Sequence, residues 1–191
     1  MNTVEHADGL APDLIVPLVG FRQWRVADGA LTSMYDRALW PQDGVTASCE
    51  RGHSPGEVPA KDCGCGVYAY YDPCPRTASA ATSDLIGGAV VLWGRIEAHM
   101  YGMRGKHERI VALELPLSHA RKRRAVIEAG ERVGVPVVPH RSLKAVALDY
   151  GAVLQPSLRP KEDAHPGRQR LGQERARLSG VIGTLARFLA A

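Results

Sequence analysis

Four cysteines, Cys49, Cys63, Cys65 and Cys74, fall within 26 consecutive residues, and the other 165 residues of the chain contain none. Cysteines clustered in this way, in a chain expected to be cytoplasmic, point to a metal site rather than to a disulfide framework. The pattern is Cys49-x3-His53-x9-Cys63-x-Cys65, with Gly64 and Gly66 allowing tight turns around the second pair. Thiolate sulfur and imidazole nitrogen suit zinc, and three cysteines with one histidine are a common closed structural set. Cys49, His53, Cys63 and Cys65 are therefore the expected ligands of one structural Zn2+. Alternatives stay open at this point. Cys74, between Pro73 and Pro75, can replace His53 in an all-cysteine site. The thiols can also stay free or form disulfides, although Cys63 and Cys65 are too close to pair comfortably with each other. Four protein ligands leave no position for a reacting water, which argues against catalytic zinc.

A second observation is independent of ligand spacing. Between Pro41 and Gly66 only Val45 and Val58 are large and apolar. A segment that long and that polar does not order by packing alone. Structural zinc supplies on the order of 10 kcal/mol in small modules, enough to offset much of the ordering entropy of such a loop.

The rest of the first half reads as strands. Phe21 to Val26 mixes apolar and charged residues, Asp28-Gly29 signals a hairpin turn, and Ala30 to Tyr35 returns. Gly66–Tyr71, Gly88–Met100 and Arg109–Leu115 are further strands, and Gly102-Met-Arg-Gly105 is expected to turn the chain between the last two. The second half reads as helical. Ser118 is an N-cap candidate for a helix to Val133, followed by Gly134 and Pro136 as stops. Val135–Val138 suits a short strand, and Ser142 can cap a second helix ending at Gly151. The order strand–helix–strand is that of one crossover unit. The expected fold is α+β: a zinc-stapled small twisted sheet or partly closed barrel followed by helices.

The expected organisation is a flexible N-terminus (1–13), a zinc-binding α+β domain (14–154), a proline-containing linker (155–167) and an amphipathic C-terminal helix (168–191). In that last helix Leu171, Leu178, Ile182, Leu185 and Leu189 recur mostly at threes and fours, one apolar stripe for a partner or a second copy of the chain. No run approaches the roughly 20 apolar residues that span a bilayer. Residues 1–13 hold Glu5, Asp8 and Asp13 but no Lys or Arg, unlike a secretory signal, so a cytoplasmic protein is expected.

The segments Cys63-x-Cys65-Gly-Val-Tyr-Ala69, His53-x-Pro55 and Leu92-Trp93-Gly94 resemble those of a group of short bacterial proteins. That group shares a Cys/His cluster, a C-x-C-G-[IV]-Y-A segment and a tryptophan–glycine strand. It has no established activity, so the resemblance implies a metal and no reaction.

Three functional classes remain. The favoured one is a non-enzymatic binding or adaptor module with a protein partner. The first alternative is nucleic-acid binding. Net charge is +4, carried by 19 Arg and 5 Lys, and the guanidinium fork matches phosphate. Arg121, Lys122, Arg123 and Arg124 form the sharpest run, placed where positive charge opposes a helix dipole, and the C-terminal arginines Arg168, Arg170, Arg175, Arg177 and Arg187 would join it. The second alternative is a small enzyme with an aromatic cleft (Trp24, Trp40, Trp93, Tyr68, Tyr70, Tyr71) and His99 or His107 as acid and base. No nucleophile elbow accompanies those histidines. Gly102-x2-Gly105-Lys106 lacks the spacing and the following helix of a phosphate loop.

Overall fold

The computed structural model describes residues 16–34, 37–73, 84–117 and 120–160. The segment 168–191 with its Leu171–Leu189 stripe, Cys74, the cap candidate Ser118 and residues 1–13 lie outside these.

Strand β1 (Leu18–Ala27) turns at Asp28-Gly29 into β2 (Ala30–Thr32), with Ala27 opposite Ala30. Both turn residues take positive φ, 48° and 70°, as the two-residue hairpin turn of this hand requires. Strand β3 (Val45–Thr46) is short, β4 is Val67–Tyr70, and β5 (Leu85–Ala98) and β6 (Gly102–Leu115) form a long hairpin. Helix α1 (Ala120–Val133) then leads to β7 (Val137–Pro139), which pairs parallel with β6, as a crossover unit demands. Helix α2 (His140–Leu148) and a 3-10 turn at Pro156–Leu158 complete the described chain.

The seven strands form one sheet whose middle is ring-like. Strand β1 pairs with β5, β5 with β6, β6 with β4, and β4 returns to β1 through Phe21 opposite Tyr70. The fold is thus α+β with a partly closed barrel. One apolar cluster includes Trp24, Ile86, Val90, Leu92, Met103, Ile110 and Leu113, together with Val126 and Ala129 of α1. A second lies on the other face of the same strands, where Leu143 and Ala147 of α2 cover Val19, Phe21, Ala89 and Val91. Burial on both faces explains why β5 reads as an almost unbroken apolar run.

Two expectations need correction. Gly102 to Gly105 does not turn the chain; it opens β6. The turn lies just before it, closed by the His99 amide donating to the Gly102 carbonyl at 2.7 Å. The glycines serve close approach instead: a Cβ on Gly102 would stand 2.2 Å from the Ala69 carbonyl oxygen of β4. Ser142 does not cap α2, which starts two residues earlier at His140 with Pro139 at the cap position and no side-chain cap.

Candidate metal centre

The loop between β3 and β4 carries Cys49, His53, Cys63 and Cys65, and their ligand atoms all lie within 4.8 Å of one another. Cys49 Sγ is 3.7 Å from Cys63 Sγ and 3.1 Å from His53 Nδ1. Two thiolates about 2.3 Å from a tetrahedral ion stand about 3.8 Å apart, so the sulfur separation is that of a shared ion. Cys63 is buried, while Cys49 and Cys65 are half-buried. The hydrogen bond with His53 pulls the Cys49 thiol down to about 6, which favours the ligating thiolate at neutral pH. Burial pushes the Cys65 thiol up, against the amide of Ala60, which donates to its sulfur at 3.3 Å. The backbone amides of His53 and Arg51 act in the same way on the Cys49 sulfur.

The two ligand arms reach the site differently. Cys49 follows β3 by three residues, and the Ala47 amide donates to the Lys106 carbonyl of β6, which fixes the start of the loop. Ser54 and Glu57 close the turn after His53: the Glu57 carboxylate accepts from both the amide and the hydroxyl of Ser54 at 2.8 Å. Cys63 and Cys65 run directly into β4, so the sheet orients them.

Arg104 of β6, which the sequence pattern did not single out, organises the whole loop from below. It is 8% exposed. Its guanidinium donates to the carbonyls of Cys63, of Cys65 at 2.9 Å and of Ala60 at 3.3 Å. The same group meets Glu97 Oε2 at 2.5 Å and donates through Nε to His99 Nε2 at 2.9 Å. A planar fork with five donors spends all of its capacity here. His99 is therefore an acceptor in this network. Burial lowers its pKa, with Glu97 opposing.

The remaining candidates separate. His99 and His107 do not converge: His107 stacks on Trp93 and bonds Thr46 instead. Of the aromatic residues, Tyr68 and Tyr71 lie at His99: the Tyr68 ring centroid is 6.3 Å from the imidazole and the Tyr71 hydroxyl donates to the His99 carbonyl at 2.8 Å. Trp24 is core, Trp40 packs on it edge-to-face, and Trp93 and Tyr70 are each 39% exposed. The basic run on α1 is partly paired within the chain. Arg121 and Arg123 are exposed, Arg124 pairs with Glu128 at 2.8 Å, and Lys122 is half-buried near Asp84 and Glu114. Those internal carboxylates supply the compensation that a helix start crowded with cations needs. No helix among the described residues is long and apolar enough to cross a membrane.

The chain matches no family model, no curated protein and no solved structure. What it does is argued from this geometry.

Proposed function

We propose that the chain is a non-catalytic binding module whose recognition surface is held in place by a structural zinc ion on Cys49, His53, Cys63 and Cys65. The observation that carries this is the convergence of three sulfurs and one imidazole nitrogen within 4.8 Å, at the edge of a barrel that has its own core. The donor set is the one zinc prefers, and four protein ligands close the coordination shell. The ion adds to the few anchors the loop has of its own, buried Val58, Pro59 and Ala60 and the Arg104 fork; it does not build the barrel. Thiolates held ready for metal belong in a reducing compartment, which favours the cytoplasm. An adaptor role, with the stripe Leu171, Leu178, Ile182, Leu185 and Leu189 docking on a protein partner or a second copy, is part of the same proposal. So is kinship with the bacterial group that shares the C-x-C-G-V-Y-A segment.

Hydrogen exchange read with and without a chelator tests the staple. Removing the metal is expected to raise exchange of amides in residues 47–66 by at least about ten-fold, while the centres of β1, β5 and β6 stay protected. Unchanged exchange of the loop after chelation would contradict the proposal.

A further inference from the structure

The face of the sheet next to α2 is only partly covered. Along β5 the outward phase runs Ala89, Val91, Trp93; α2 covers the first two, and Trp93 is 39% exposed. Opposite, along β6, Arg109 pairs in register with Val91 and His107 with Trp93, and β3 adds Thr46 opposite His107. Arg109 is exposed and His107 half-buried. The uncovered part of the face is thus an aromatic pair bordered by a cation.

The aromatic pair is built rather than incidental. The Trp93 and His107 rings stack with centroids 5.4 Å apart and planes 17° from parallel. The imidazole is fixed from its far side by Thr46 Oγ1, 2.9 Å from Nδ1. The register of β5 against β6 shifts immediately after Trp93, and Gly94 takes φ +76°. A side chain at Gly94 would be strained by that φ and would place its Cβ 2.9 Å from the His107 ring. The bulge and its glycine therefore keep the stack open. Burial, then Lys106, holds the imidazole pKa down, so a neutral ring lies under the indole.

Arg109 and Lys106 have no ion pair with a carboxylate among the described residues. Arg95 follows Gly94 directly and interacts electrostatically with Glu57, whose carboxylate Ser54 also holds. The one acid between His107 and Arg109, Glu108, points inward and is fully buried. An exposed ring stack flanked by cations is the arrangement that single-stranded nucleic acid uses, with bases on the rings and phosphates on the cations.

We infer that the Trp93–His107 stack, with Arg109, Lys106 and Arg95 around it, is a binding platform for single-stranded nucleic acid. This deepens the binding-module proposal, on which it rests, by naming the ligand class. The nucleic-acid surface is then on the sheet beside the metal loop and not on α1, where the basic run is partly neutralised.

The test uses the full zinc-loaded chain, a labelled short oligo-dT and oligo-rU, a matched DNA duplex, and polyglutamate as an acidic polypeptide. Anisotropy is expected to show binding of the single strands, weakening as salt rises, with quenching of Trp93 emission. Trp93→Ala is expected to weaken binding about five-fold or more, and Trp93→Phe to keep most of it. Replacing Arg109 and Lys106 by Ala is expected to lower the salt slope by about 0.7 per lost phosphate contact. Replacing Arg121, Arg123 and Arg124 is expected to leave affinity unchanged. The platform is overturned by absence of single-strand binding at low salt, by equal affinity for polyglutamate or duplex, or by loss through the α1 variant instead of Trp93→Ala. Zinc content measured on the same samples keeps the two proposals apart: one zinc without oligonucleotide binding removes the platform and leaves the staple, and binding without zinc does the reverse.

Discussion

Arg104 shows how a charged strand residue becomes structural. In sequence it looks like any solvent-facing arginine of a strand. It is buried because a loop from about 40 positions earlier in the chain folds over it, bringing three carbonyls that no local pattern announces. Glu97 is hidden for the same reason. Removing one partner of a buried, hydrogen-bonded pair costs about 3–5 kcal/mol, and loss of an outer partner of a metal site costs about ten- to a hundred-fold in affinity. Arg104→Ala is expected to do both, in denaturant unfolding and in competition with a chelator. Arg104→Lys should recover little, because an ammonium cannot reach the same five acceptors. Stability that stays wild-type in both variants would show that the loop holds itself.

Glu108 is the other residue whose role needed coordinates. It is fully buried opposite Leu92, with Arg22 Nη1 3.5 Å from its carboxylate and the Arg22 guanidinium 4.5 Å from the Trp40 ring centroid. Burial raises its pKa from 4.5 to about 7, with Arg22 opposing. The folded state therefore holds this proton to higher pH than the unfolded chain does. The stability linked to Glu108 is fully present below about pH 4.5. It is lost as pH rises, by up to about 1.4 kcal/mol per unit, and levels off above about pH 7. Glu108→Gln keeps the shape and removes the titration. The difference in unfolding free energy between the two proteins, at saturating zinc, is expected to slope between pH 5 and 7 and be flat above. A flat difference throughout would mean that Glu108 is ionised in the folded protein at all these values.

At the scale of elements, what was legible was what local chemistry decides. Asp28-Gly29 imposes its turn by backbone preference alone, and the β1–β2 hairpin follows. Gly134 after Val133, with positive φ and its amide bonded to the Glu131 carbonyl, ends α1 where the pattern places it. The strand after it pairs parallel to β6, as a crossover should. What was not legible depends on neighbours. Strand β3 is two residues long and exists only because Val45 and Thr46 find the β6 edge. Gly102 and Gly105 read as a turn in sequence because a glycine needed for strand approach and one needed for a bend look alike there.

For the whole molecule, the fold class could be read but the closure of the sheet could not. The ring depends on Phe21 meeting Tyr70 and on β4 crossing to β6, contacts between distant residues that period and turn signals do not encode. The metal cluster was legible for a chemical reason: few residue types ligate zinc, and all four stand in one apolar-poor segment, so spacing and composition agree. His53 Nδ1 sits 3.1 Å from Cys49 Sγ, inside the cluster, while Cys74 lies outside the described residues. X-ray absorption at the zinc edge, on protein purified with its metal, reads that arrangement directly. Three sulfurs at about 2.3 Å and one nitrogen at about 2.0 Å, at one zinc per chain, are the expected shell. A shell of oxygen and nitrogen alone, four sulfurs, or protein that takes up no zinc would contradict the site and the loop built around it.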